Sequence, residues 1–338
     1  MTSPLVVIDA DVLGRRRTGD ETHVSNLLRE LGRQATDLRL VALTRRPDLV
    51  PDGIEPYELP ARLQETRMAF GVPLALRRLR PSLVHFQHVL PPLDRTRAVV
   101  TVHDLSFERD PSAMGRLDRL AFRTFVPRSV RRAVRVLTVS ERTKRDLVDL
   151  YGVAPGKVVV TPNGVDPAFS PGPDSGSGGY LLYVGAIQAR KDPLAAAAAA
   201  AVAGLRLVVV GPEKEPELAA ELRSRGAELR GYLGLEELAD VYRRAAVLIL
   251  PSRYEGFGLP VLEAMASGTP VVASGDAALR EVAGDAAVYA SREELGAAVI
   301  RALAERDRLV AAGLERARAF SWAETARVTL NVYREALA

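Results

Sequence analysis

Short runs of β-branched and aliphatic residues alternate with amphipathic stretches from one end of the chain to the other, and few architectures accept that rhythm. Runs of this length fit buried strands of about 4–8 residues and are too short for buried helices. Strands are expected at 5–8, 38–43, 83–86, 98–102, 136–139 and 158–160, then at 180–184, 205–210, 247–250, 270–273 and 286–289. With helical patterns between them, the implied architecture is α/β, with parallel sheets joined by crossover helices. Thr18 and Glu21 have capping-box spacing before a helix whose Val24, Leu27, Leu28 and Leu31 share one face. Ser321 and Glu324 repeat that spacing before the last helix.

The segment Ser170 to Gly179, rich in glycine, serine and proline, interrupts the alternation and reads as a linker. With 338 residues, the chain suits two domains. The expected division is 1–169, a linker at 170–179, a second domain at 180–319 and a terminal helix at 320–338. The absence of cysteine excludes disulfides, thiolate metal sites and cysteine nucleophiles, which fits a reducing cytoplasm. Met1 leads straight into an apolar strand pattern, with no signal peptide expected, and no apolar run approaches the roughly 20 residues of a membrane span. A net charge of +4 is too small to argue for nucleic acid.

In open parallel sheets, ligands bind beyond the carboxyl ends of the strands, so the residues following each run carry the functional information. Gly185 is followed by the adjacent cations Arg190 and Lys191 at the expected start of a helix, an arrangement suited to a diphosphate. A solvated Arg-Lys pair is the alternative. After the run at 247–250 come Glu255, Gly256, Phe257, Gly258, Leu259, Pro260 and, about one helical turn on, Glu263. Two carboxylates could form an acid and base pair for glycoside hydrolysis, or could accept from sugar hydroxyls.

The segment Glu255 to Glu263, with seven residues between its carboxylates, resembles the signature of retaining glycosyltransferase family 4, whose fold is called GT-B. Further stretches agree in order: Thr18-Gly19, Val102-His103-Asp104, Thr138-Val139-Ser140, Pro162 to Asp166, Arg190-Lys191, Gly268 to Val272 and Phe320-Ser321-Trp322. The resemblance implies two facing Rossmann-like domains, a C-terminal helix returning toward the N-terminal domain, and a nucleotide-diphosphate sugar as donor. It assigns Arg190 and Lys191 to the leaving diphosphate, Glu263 to the nucleotide ribose and Glu255 to a donor-sugar hydroxyl. Phe257, Gly258 and Leu259 would offer backbone N–H groups, His103 would meet the sugar near its C6 hydroxyl, and Gly19 would lie in a loop facing the cleft. Gly185 and Tyr232 complete the donor-binding set. The likeness is to bacterial mannosyltransferases, which makes GDP-mannose the first donor expected and a glycan, lipid-linked or small molecule the acceptor.

Asp20 and Glu21 depart from the family's usual glycine-rich loop. A carboxylate about 4 Å from a phosphate charge costs roughly 4 kcal/mol at an effective dielectric near 20, so these residues are expected to cap the helix or face the acceptor. No cofactor is expected. His23, His85, His88 and His103 are scattered over different elements, and no metal is expected either. His103-Asp104 could belong to a hydrolase triad, but the chain has no Gly-x-Ser-x-Gly elbow. Arg116, Arg119, Arg123, Arg128, Arg131, Arg132 and Arg135 alternate with apolar residues, which suits either peripheral contact with an anionic membrane at the inner face or a solvated helix packing its apolar side inward. Two other readings are a nucleotide-sugar epimerase of the same fold and a non-catalytic nucleotide-sugar sensor. A nicotinamide oxidoreductase lacks its Gly-x-Gly-x-x-Gly after the first strand.

Overall fold

The expected strands assemble into two wholly parallel sheets in the computed structural model, which describes residues 3–15, 18–59, 67–92, 94–110 and 114–338. The first sheet holds β1 (Leu5–Asp9), β2 (Arg39–Thr44), β3 (Glu55–Glu58), β4 (Leu83–Gln87), β5 (Ala98–Val102), β6 (Arg135–Thr138) and β7 (Val158–Val160), in the order β3-β2-β1-β4-β5-β6-β7. The second holds β8 (Tyr180–Val184), β9 (Arg206–Val210), β10 (Glu228–Leu229), β11 (Val247–Leu250), β12 (Val271–Ala273) and β13 (Ala287–Tyr289), in the order β10-β9-β8-β11-β12-β13. Both orders reverse direction once, at β1/β4 and at β8/β11. Ligands in doubly wound sheets bind at such switch points, beyond the carboxyl ends of the two central strands.

Two strands escape the apolar pattern, and both lie on sheet edges. β3 reads Glu-Pro-Tyr-Glu, with only Tyr57 partly buried, and an edge strand tolerates a proline that a central strand rejects. β10 is just Glu228 and Leu229.

The chain divides into two compact units. One comprises residues 1–105, 116–164 and 322–338, and the other 106–115 and 165–321. Residues 170–179, expected as a linker, pack with the second unit. Gly176 N and Gly178 N donate to the last two carbonyls of the helix Leu235–Arg244, at Arg243 O and Arg244 O, each at 2.9 Å. Helix-end carbonyls have no partner within their own helix, so this segment satisfies them. The terminal helix Trp322–Leu337 belongs to the first unit, as the resemblance implies. Its Ala326, Leu330 and Tyr333 join Val6, Ile8 and Leu28 in one core.

Tyr333 also anchors a buried polar chain. His85 Nδ1 lies 2.6 Å from its hydroxyl, and His85 Nε2 lies 2.7 Å from Thr101 Oγ1. Burial drives the His85 pKa down to about 3, so the ring is neutral, donating through one nitrogen and accepting through the other. Tyr333→Phe keeps the ring's shape but leaves a fully buried nitrogen without its partner. A loss of about 1–3 kcal/mol is expected. Chemical denaturation checks this as a lower midpoint at unchanged slope.

Candidate active site

At the second switch point, the loops following β8 and β11 carry the residues singled out above. The first loop ends in a short 3₁₀ turn, Ala189–Lys191, so the two cations precede the helix Pro193–Ala203 and do not sit in its first turn. Asp192 makes the turn into that helix at φ +46°. Neither cation is solvated as a surface pair would be. Arg190 is buried, and its guanidinium donates to the Tyr254 carbonyl of the loop after β11. Lys191 Nζ lies 3.0 Å from Glu255 Oε1, with side-chain exposures of 15% and 10%. Arg253 N donates to Arg190 O at 3.0 Å, so backbone as well as side chains tie the two loops together.

Burial pushes the Glu255 carboxyl up, but the Lys191 and Arg190 charges outweigh it and hold the group below its ordinary range. Glu263 differs. Burial raises it to about 7, the donated Tyr242 hydroxyl bond at 2.7 Å opposes the rise, and the Asp166 charge adds to it. Glu255 is thus a fixed anion at neutral pH, and Glu263 is poised between two protonation states.

The helix Leu259–Ala266 starts from Gly258 at φ +107°, a conformation that side chains avoid, and a Cβ there would stand 2.6 Å from Leu279 Cδ2. Glycine therefore lets the turn form and brings bare backbone to the strand ends. Phe257 is buried beside it, its ring 5.9 Å from that of Phe320. Tyr232 is about half exposed. Gly185 follows β8 directly, and its N–H is spent on Val210 O.

In the first unit, His103 follows β5 directly and is buried. Its Nε2 is 2.8 Å from Gln87 Oε1, and its pKa falls well below 6.5, first through burial and then through neighbouring histidines. The histidines are not scattered in space: the His23 ring centroid is 4.6 Å from that of His103, and His88 is 5.2 Å away. The sheet order explains the gathering, because His88 and His103 follow the adjacent strands β4 and β5. Gly19 lies in the first turn of the helix Thr18–Gln34 and not in a loop. Glu21 accepts from Gly14 N at 2.7 Å and pins the segment after β1. Asp20 stands beside His88 and His103.

Two family models match the chain: Glycosyltransferase Family 4 over residues 17–169, and Glycosyl transferases group 1 over residues 178–305. The chain belongs to glycosyltransferase family 4. It is 29% identical over 326 residues to the O-antigen chain mannosyltransferase B of Escherichia coli, covering 88% of this chain and 83% of that protein. It is 36% identical over 255 residues to the D-inositol 3-phosphate glycosyltransferase of Kineococcus radiotolerans, but spans only 58% of that relative's length. Among solved structures, sucrose-phosphate synthase from Thermosynechococcus elongatus superposes with a TM-score of 0.79 at 21% identity, over 99% of both chains. Anabaena HepE, in complex with UDP and glucose, superposes with a TM-score of 0.73 at 13% identity, over 99% of this chain and 100% of that one. The fold is GT-B.

For this glycosyltransferase, residue spacing did not reveal Tyr242, nor that Asp166, within the stretch quoted for the resemblance, adds to the effect of burial on Glu263. Tyr242 reads as one apolar position on an amphipathic helix, and only packing shows its hydroxyl turned to a carboxylate. That hydroxyl stabilises the ionised form, so Tyr242→Phe should move the Glu263 midpoint upward from about 7. Carbon-13 NMR of the glutamate carboxyl, titrated in both proteins, measures the shift. An equal or lower midpoint in the variant contradicts the role given to the hydroxyl.

Proposed function

We propose that this enzyme transfers a hexosyl group from a nucleotide-diphosphate sugar, with retention of anomeric configuration, and that GDP-mannose is its donor. The supporting observation is the buried grouping of Arg190, Lys191 and Glu255 on two loops at the β8/β11 switch point. Transfer breaks the bond between the anomeric carbon and a phosphate oxygen. Positive charge grows on the sugar ring and negative charge on the departing diphosphate. Arg190 and Lys191 stabilise that negative charge from positions fixed before the reaction, which is where preorganised electrostatics contribute most. The acceptor hydroxyl adds on the face the diphosphate leaves, and its proton passes to a diphosphate oxygen, so no enzymic nucleophile is consumed.

Glu255 accepts from a donor-sugar hydroxyl while its charge holds Lys191 in place. Glu263 accepts from the ribose, and the backbone from Phe257 to Leu259, with Gly185 and Tyr232, completes the donor set. In the first unit, His103 keeps a lone pair suited to a sugar hydroxyl. The mannosyltransferase name of a relative aligned over 83% of its length supports the sugar.

A panel of nucleoside diphosphates in a thermal-shift assay tests the donor, since a ligand at about 100 times its dissociation constant adds roughly 2.7 kcal/mol. GDP is expected to give the largest shift. With the donor so chosen, Lys191→Ala should lower turnover by roughly 10² to 10³. The stability cost should be smaller, because Arg190 still faces Glu255. Wild-type turnover in the folded variant refutes the leaving-group role.

The acceptor is a glycan or lipid-linked molecule met at an anionic membrane surface. On the helix Arg116–Arg132, Leu117 and Leu120 are 84% and 65% exposed and stand among arginines, so the helix does not pack its whole apolar side inward. Among the described residues no helix is long and apolar enough to cross a membrane. Binding to phosphatidylglycerol vesicles should weaken with salt and fall further in Leu117→Ser/Leu120→Ser. Equal binding by wild type and double variant removes the membrane role.

A further inference from the structure

Around His103, the first unit leaves several nitrogen atoms unspent. His103 Nε2 faces Gln87 Oε1 at 2.8 Å, and His23 Nδ1 faces Asn163 Oδ1 at 2.7 Å. An amide oxygen only accepts, so these ring nitrogens carry the protons, and the opposite nitrogen of each ring is left with a lone pair. That is how metal-bound imidazoles are generally held, with one nitrogen donating to a fixed oxygen while the other faces the ion. His23 Nε2, His88 Nδ1 and Gln87 Nε2 are all buried without a hydrogen-bond partner. Buried polar atoms are nearly always satisfied, and of these three His88 Nδ1 is the one a cation would satisfy, since Gln87 Nε2 only donates and His23 is not among the residues whose ligand atoms converge.

Asp20, His88 and His103 each bring one ligand atom within 4.8 Å of the others. His88 is fixed at φ +57°, a left-handed conformation that few residues other than glycine adopt, and the fold thereby sets where its ring starts. We propose that Asp20, His88 and His103 bind one divalent transition-metal ion, with Zn²⁺ as its occupant. Two imidazoles and one carboxylate match the mixed nitrogen and oxygen set that Zn²⁺ takes in sites with an open fourth position, whereas Mg²⁺ and Ca²⁺ prefer oxygen alone. Zinc to nitrogen distances of about 2.0–2.1 Å place tetrahedral ligands roughly 3.3 Å apart. The ligand atoms, now within 4.8 Å of one another, would draw together on binding, and Asp20 and His88 are only partly buried.

Metal binding needs neither donor nor acceptor, although the site shares His103 with the transfer reading. Occupancy would commit the remaining lone pair of His103, so metal and sugar hydroxyl could not use that ring together. The test is titration of Co²⁺ into the full chain, free of any affinity tag and stripped with a chelator, reading the visible d–d bands. One saturating equivalent, displaced by Zn²⁺, is expected. Asp20→Asn and His88→Gln, both shown folded by circular dichroism, should each weaken binding roughly tenfold or more. Absence of the bands, or either variant binding as the wild type does, overturns the site and leaves the glycosyltransferase reading untouched.

Discussion

A carboxylate as deeply buried as Glu255 stays ionised only because Lys191 and Arg190 stand against it, and that balance organises the second unit's switch point. Desolvation pushes the acid toward its neutral form, and the two cations oppose that push. Each charge therefore fixes the position of the others. In the function proposed above, a departing phosphate would meet cations already desolvated and oriented, which leaves little reorganisation for the moment when it gathers charge.

The same logic separates the two glutamates of one short segment. Glu255, at the loop, has cations for neighbours and is anionic, whereas Glu263, inside the helix, has a tyrosine hydroxyl and another acid and titrates near 7. Identical side chains eight positions apart thus acquire different protonation behaviour from their surroundings. The helix start makes this separation possible. Gly258 turns the chain sharply enough to place one carboxylate before the helix and the other within it.

Most of the fold was legible because buried parallel strands must be apolar on both faces, and runs such as Val247–Leu250 advertise that requirement. The strands missed, Glu55–Glu58 and Glu228–Leu229, lie on edges where one side faces solvent and charge is tolerated. Legibility of the site followed the same rule. His103, directly after β5, and Arg190, in the loop after β8, were singled out because strand ends are where ligands meet parallel sheets. Tyr242 and Gln87 were not, since their contacts depend on which atom a packed side chain presents, and spacing carries no such information.

Sequence distance misled most at the histidines. His23, His88 and His103 belong to a helix and to two separate strand ends, and nothing in their spacing says that three rings meet. The meeting follows from topology: β4 and β5 are neighbours, so the residues leaving them emerge side by side, and the helix after β1 covers the same end of the sheet. Burial then keeps His23 and His103 neutral, and neutral rings approach where charged ones would repel. Their crowding is therefore evidence of lone pairs held in reserve, since a ring that carries its single proton on the side bonded to an amide oxygen has nothing left to donate to its neighbours.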